Sequence, residues 1–476
     1  MKVTVGTVPR RRIELGLLIV AAVITVGAHA LSSLAKTATV PANIRVFLGV
    51  IVGLLALGHI ALRRYARHAD ATLFPLAAVL NGIGYVMIAR LKPGFADKQA
   101  LWTAVGVLAF VVTLVAARNL RKLEYLRYTF LAGGIGLLLL PLLPGIGYAR
   151  NGSRIWARLG PVTFQPGEIA KVVLCVFFAS YLVEKRELLA IAGRRFLGVT
   201  WPEPKHFAPV ALAWIVSIGI MVLQKDLGSS LLFFALFVSM LWVATGRGSY
   251  VALTGVMFLG GATVAYQLFD HVQVRVSTWI NPWPVSDGKG YQIIQSLYAF
   301  GSGGITGSGL NQGDPTRIPA SYNDFILAAI GEELGLFGSC AIIIIFFLMV
   351  GAGLKISLRS DNPFEKLLAI GLTTILSVQT FIIAGGVTRL VPLTGVTLPF
   401  VSYGGSSLVV NFVVVALLLR LSNDANVRHG DQIPLTWFEK RRNKRIDRAE
   451  AAVRDDETRI DLQRDPQREP KEAVNA

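Results

Sequence analysis

The segment WINPWPVSDGKGYQ, residues 279–292, holds one carboxylate, Asp287, where Pro282, Pro284, Gly288 and Gly290 forbid a regular helix. Between Arg275 and Gln292 it is the only residue able to act as a carboxylate base, and Lys289 follows two positions later. A second set lies in ARNGSRIWARLGPVTFQPGEIAK, which brings Arg150, Arg154 and Arg158 together with the indole of Trp156. The spacing puts Arg154 and Arg158 on one face of a helix, with Trp156 beside them at the membrane interface. Such a cationic, aromatic rim suits an anionic lipid headgroup, above all a phosphate or diphosphate. Ordinary contact with bulk lipid phosphate is the competing reading.

Two further pairs stand at the heads of apolar runs. In QPGEIAKVVL, Pro166 favours the first turn of a helix, and Glu168 and Lys171 follow on one face. In LQKDLGSSLLF the pair is Lys225 and Asp226. Ionised groups there are costly unless paired or facing a cavity, so the two pairs suggest one polar cluster, with structural pairing between helices as the alternative. The glycine-rich AFGSGGITGSGLNQG lets backbone amides approach a phosphate, but it is no Walker sequence, and its stretch from about 270 to 324 offers little regular structure. Glu332 and Glu333 are expected to set the packing or depth of the next helix, and Asp324 to cap it.

The elements that must position these groups are membrane spans. The chain is 53% hydrophobic and 16% charged, with a mean hydropathy of +0.56, which excludes an ordinary soluble domain. Its formal charge of +18 lies mostly in short loops and a tail that face anionic lipid, so no nucleic-acid partner is expected. Twelve apolar stretches occur at roughly 15–35, 43–62, 72–90, 100–117, 128–147, 168–184, 207–224, 227–245, 249–269, 325–353, 364–386 and 399–421, giving an all-α polytopic membrane protein. A cytoplasmic N-terminus puts the clusters at Arg10–Arg12, Arg63/Arg64/Arg67, Arg118/Arg121/Lys122, Lys185/Arg186/Arg194/Arg195 and Lys355/Arg359 inside, with the C-terminus inside as well. The stretch from about 270 to 324 is then the longest external loop.

The first span resembles a signal peptide, with Ala28-His29-Ala30 as a cleavage site, but a retained span is expected. Cys175 and Cys340 fall in apolar runs and form neither a disulfide framework nor a metal site. No solenoid period or convincing half-to-half similarity is visible. The boundaries follow: residues 1–70 with two spans, 71–421 as the core, and 422–476 as a charged tail too polar to fold alone, with Trp437 and Phe438 beside KRRNKR placed to touch the inner leaflet.

The segments NGSRIWARLGPVTFQPGEIAK, QKDLGSS, GYQIIQSLYAFGSGGITGSGL, NDFILAAIGEELGLFG and PLTGVTLPFVSYGGSS resemble, in order, the signatures of the SEDS family (RodA/FtsW/SpoVE) over roughly residues 70–421. The resemblance implies a peptidoglycan glycosyltransferase that polymerises lipid II at the outer face of the cytoplasmic membrane, releases undecaprenyl diphosphate and works with a class B penicillin-binding protein and other elongation or division proteins. It implies a ten-helix core, so the first two spans are additions, and with the basic tail they resemble the actinobacterial elongation members. By the same resemblance an aspartate in the Asp287 loop is the catalytic residue. Aligning NPW places Val285 where that acid is expected, with Asp287 two positions later as base. One base suffices, because a diphosphate is already a good leaving group, held by arginines or by a divalent cation (Mg or Mn). Arg154, Trp156, Glu168, Lys171 and Asp226 carry over as substrate-cavity residues, with Gly167 in place of the usual serine of QPSE. Arg158, Lys289 and the Ser402, Tyr403 and Ser406 positions of SYGGSS join them. The rival functions are a lipid II flippase, a division-specific polymerase of the FtsW type and an inactive scaffold.

Overall fold

Each of the twelve apolar stretches becomes helix, because a chain in hydrocarbon must satisfy its backbone polar groups internally. The computed structural model describes residues 8–39 and 44–429 apart from 119, 151, 161, 192, 197, 198 and 203. Residues 1–428 form one unit and 429–476 another. The expectations for the tail, including Trp437 and Phe438, lie outside the described residues. In chain order the helices are α1 (Val8–Thr37), α2 (Ile44–Tyr65), α3 (Leu73–Leu91), α4 (Ala96–Ala116), α5 (Arg121–Tyr125) and α6 (Arg127–Leu139). The strands β1 (Gly147–Arg150), β2 (Ser153–Leu159) and β3 (Val162–Phe164) follow, then α7 (Pro166–Glu184), α8 (Arg186–Ile191), a hairpin of β4 (Gly193–Phe196) and β5 (Val199–Pro202), α9 (Pro204–Leu223), α10 (Leu227–Thr245) and α11 (Gly248–Leu268). The chain continues with α12 (Asp270–Ile280), α13 (Tyr291–Gly303), α14 (Ile326–Arg359), α15 (Pro363–Val387) and α16 (Gly405–Arg428).

Among the described residues ten helices are long and apolar enough to cross a membrane, and the apolar helices Arg127–Leu142 and Ala211–Leu223 are shorter. All twelve expected stretches are thus helical: ten meet the length and composition of a span among the described residues, and the other two are the helix at 128–147 and α9, which runs 20 residues from Pro204 to Leu223. Near its C-terminal end the first of these tightens into a 3-10 turn containing Pro141 and gives way to the β1–β2–β3 sheet. Helices α7, α15 and α16 are apolar on nearly all sides and mostly buried, so they form the centre; α2 and α11 leave most of their side chains outside. The additional helices are packed onto the core through glycines: a Cβ at Gly58 or Gly82 would overlap Phe74 or Thr25.

The segment 270–324 departs from the expectation of little regular structure. Its apolar residues recur at helical spacing, with Ile293, Ile294 and Ala299 among those buried, and so build α12 and α13, and the glycine-rich stretch then wraps a kink in α14. Gly335 has φ +65° and ψ −161° inside α14, which breaks the helical ladder. The amides of Leu336 and Phe337 donate instead to Gly304 O (3.0 Å) and Ile305 O (3.2 Å), while Glu332 O and Glu333 O accept from Ser308 N (2.9 Å) and Gly309 N (3.0 Å). A Cβ at Gly303, Gly307 or Gly335 would strike opposing backbone. These glycines are therefore spent on backbone-to-backbone packing, not on a phosphate cradle. Glu333 is fully buried and pairs with Arg90 Nε at 2.6 Å, tying α14 to α3, and Glu332 Oε1 accepts from Asp314 N at 2.8 Å, tying α14 to the loop.

Candidate functional site

The loops at one end of the bundle bring the sequence-predicted residues into three groups. The first is the sheet. Gly152 (φ +79°) and Gly160 (φ +60°) turn the chain twice, and β2 pairs antiparallel with β1 and β3. Arg154, Trp156 and Arg158 therefore share one face of a strand, by its two-residue alternation, rather than one face of a helix. Arg154 and Arg158 are exposed, and the Arg158 guanidinium lies 5.1 Å from the centroid of Tyr148. Arg154 N donates to Gln224 O (3.1 Å) and Ser153 Oγ to Lys225 O (3.3 Å), which docks the sheet on the turn into α10.

The second group is buried. Pro166 starts α7 as expected, and one turn later Glu168 (5% exposed) and Lys171 (3% exposed) form an ion pair of 2.6 Å. Lys171 Nζ also donates to Gln379 Oε1 at 3.0 Å; Gln379 Nε2 donates to Thr397 O (2.8 Å), and Thr397 Oγ1 to Ser407 Oγ (2.9 Å). This chain joins α7, α15 and the start of α16. The SYGGSS positions frame it: Ser406 Oγ accepts from Gln165 N (3.1 Å), Ser402 Oγ donates to Asn323 O (2.7 Å) and accepts from Leu398 N (2.9 Å), and Tyr403 stacks on Phe95 at 4.5 Å. Ser402 and Tyr403 stand in the turn before α16, which begins at Gly405, so they brace the turn while Ser406 lies in the helix.

The third group is open. Asp226 caps α10, accepting from Ser229 N (3.0 Å) and Ser229 Oγ (2.6 Å), and burial raises its carboxyl above the ordinary range against those bonds. Lys225 lines a cavity of about 520 Å³ together with Asp270, His271, Arg275 and Lys289, so three cationic side chains share it with one carboxylate. The charge of Glu168 reaches Asp226, so the two pairs expected to cluster do approach, but as a buried pair and a separate cap. Asp287 is exposed in the tight turn after Trp283, where the amides of Gly288 and Gly290 both donate to Val285 O. Asp324 does not cap α14; Phe325 holds that position without a side-chain bond. Among the described residues no three His, Cys, Asp or Glu side chains converge as ligands of one cation.

Sequence reasoning missed Gln379, whose lone amide in an apolar run was the available signal, and Arg275, which it used only as a boundary. Burial lifts the Asp324 carboxyl from 3.8 to about 6, with Arg275 opposing. A folded pKa above the unfolded one means that the native state gains relative stability as pH falls through about 6 toward 4, and loses it as pH rises. In melting measurements across pH 5 to 8, Asp324→Asn should therefore stand highest relative to the unsubstituted protein at pH 8, and that difference should shrink toward pH 5. A constant difference would contradict the assignment.

A family model described as a cell cycle protein, of the FtsW, RodA and SpoVE group, matches residues 70–427. The peptidoglycan glycosyltransferase RodA of Mycobacterium tuberculosis is 43% identical over 439 residues, covering 90% of this chain and 92% of that protein. The probable peptidoglycan glycosyltransferase FtsW of Geobacter metallireducens is 34% identical over 74% of this chain and 94% of its own length. Among solved structures, a chain from a peptidoglycan synthase complex, described for its coordination of polymerization and crosslinking, superposes with a TM-score of 0.61 at 25% identity, covering 75% of this chain and 98% of that one. The rod shape determining protein RodA of Thermus thermophilus superposes with a TM-score of 0.54 at 24% identity over 75% of this chain and 97% of its own, which bears on the fold.

Proposed function

Because the chain belongs to the FtsW/RodA/SpoVE family of cell cycle proteins, we infer that it is a peptidoglycan glycosyltransferase of the RodA kind, serving cell elongation and shape. Identity to mycobacterial RodA at 43% across nine-tenths of the chain carries that reading; the FtsW relative is more distant, at 34% over three-quarters. Its substrate is lipid II and its products are a lengthened glycan strand and undecaprenyl diphosphate. The loop end of the bundle faces the outside of the cytoplasmic membrane, with both termini in the cytoplasm, as the distribution of basic residues asks. A class B penicillin-binding protein is the fitting partner, in keeping with the peptidoglycan synthase complex among the structural neighbours.

The reaction needs little from the protein beyond position and charge. The acceptor sugar's 4-hydroxyl attacks the anomeric carbon of the donor, its proton passes to a base, and the bond to the diphosphate breaks. Asp287 is the base: its carboxylate is exposed, two residues from Lys289, which lines the cavity with Lys225 and Arg275. Lys225 and Lys289 meet the negative charge that grows on the departing diphosphate. Arg154, Trp156 and Arg158 form an outer edge for the headgroup. The buried Glu168–Lys171 pair and Ser402, Tyr403 and Ser406 shape the wall behind. Among the described residues no three His, Cys, Asp or Glu side chains converge, and no step is routed through a cation.

Purified protein with its penicillin-binding partner should convert fluorescent lipid II into a ladder of glycan strands. In sealed vesicles a flippase would instead move lipid II across the bilayer and leave it monomeric, and that outcome would replace the polymerase reading.

A further inference from the structure

Arg275 reaches from α12 to the segment that carries Gly395. Its Nη1 donates to Leu393 O (3.2 Å) and Thr394 O (2.8 Å), two neutral carbonyls that fix the plane of the guanidinium without giving it a contact ion pair. No carboxylate of the described residues lies within 4.0 Å of it; Asp226 and Asp324 act on it only from further away. Gly395 (φ +76°) sits between: a Cβ there would stand 3.6 Å from Asp324 Oδ2 and 4.0 Å from Arg275 Nη2. The guanidinium edge and the carboxyl thus face one small space and do not meet in it. Asp324 Oδ1 is buried with no hydrogen-bond partner.

A half-buried cation with a free edge and no contact ion pair is electrostatically incomplete. Many arginines solve this with a carboxylate fork, and two aspartates are near enough to have done so. Here the main chain holds the guanidinium away from both. What completes it is an anion carried in by a ligand, and the planar fork suits a phosphate oxygen pair. The same side chain lines the cavity that holds Lys225 and Lys289, so a phosphate on Arg275 would have two ammonium groups in the same cavity, which outnumber its one carboxylate, Asp270.

We propose that Arg275 is the anchor for the diphosphate of the polyprenyl donor, bound over Gly395, and that Asp324 is a positioning residue that keeps the free guanidinium edge turned into that space. The identity of the lipid tail rests on the polymerase reading; the anchoring of a diphosphate does not.

The test measures binding of undecaprenyl diphosphate, and separately of phosphatidylglycerol, to the full chain in nanodiscs, which requires no turnover. Arg275→Lys keeps the charge and loses the fork, and should weaken undecaprenyl diphosphate about tenfold; Arg275→Gln should weaken it about a hundredfold, roughly 1.4 and 2.8 kcal/mol. Phosphatidylglycerol should bind all three proteins alike. Gly395→Ala keeps the net charge but puts a methyl 3.6 Å from Asp324 Oδ2 and 4.0 Å from Arg275 Nη2, at a residue with φ +76°, and should also weaken the diphosphate. In polymerisation, Asp324→Asn should raise the KM for lipid II severalfold at unchanged kcat, a split that a loss of folded protein would not produce. Unchanged diphosphate binding by Arg275→Gln would overturn the proposal, as would equal losses for both lipids, which would mark a general headgroup contact. Diphosphate binding through Arg275 in a protein that makes no glycan would leave this inference standing and remove the polymerase reading instead.

Discussion

Asp287→Asn is expected to abolish glycan synthesis, lowering the rate by about two to four orders of magnitude, the range typical of losing a general base. The substitution keeps the shape and an acceptor oxygen and removes only the ability to take a proton. Asp287 is exposed, so the change should cost no more than about 0.5 kcal/mol of stability, and lost activity will not be lost fold. Lipid II binding should persist, because the cavity cations are untouched. A second variant addresses the register. The family resemblance leads one to expect the acid at Val285, whose carbonyl accepts from Gly288 N and Gly290 N and so sits at the pivot of the same turn. Val285→Asp in the Asp287→Asn background should restore a measurable part of the rate if a carboxylate anywhere on this turn reaches the acceptor. Full activity in Asp287→Asn would remove Asp287 from the mechanism and direct attention to Asp226 and Asp324, whose carboxyls burial raises above the ordinary range.

Hydropathy made the helices legible and left their depths obscure. An apolar run of 128–147 reads as a span, but Pro141 and the turns after it convert its end into a route to the sheet, giving a shorter helix. The arginine spacing at 154 and 158 fits a helix and a strand equally well, since four residues return to the same face in both. Gly152 and Gly160 at the strand ends carried the deciding information. Glu168 and Lys171 were found because charge in an apolar run is conspicuous. Gln379 and Thr397, which complete their network, were not: Gln379 is the lone amide of the apolar α15, Thr397 lies in the loop before α16, and neither carries a charge to mark it. Arg275 was hidden differently: its interest lies in the contact it lacks, and no one-dimensional pattern reports an absent partner.

The second large effect concerns that buried pair. Removing either partner alone strands a charge in a site with almost no access to water, so Lys171→Met and Glu168→Gln should each cost on the order of 3–5 kcal/mol, with Lys171→Met the worse because Glu168 stays ionisable. Glu168→Gln leaves Lys171 its bond to Gln379, which partly compensates. The double variant removes both charges and should cost less than the sum of the singles, and it can approach neutrality if Met and Gln fill the volume. Melting of the four proteins in one detergent gives the coupling directly. A large coupling with polymerase activity recovered in the double variant would make the pair a strut between α7 and α15 that merely backs the cavity. Full stability with activity still lost would instead place one of these charges in contact with substrate. The geometry favours the strut: the lysine's three donor directions are already shared between Glu168 and Gln379, both at hydrogen-bonding distance, which leaves little of it to offer a ligand.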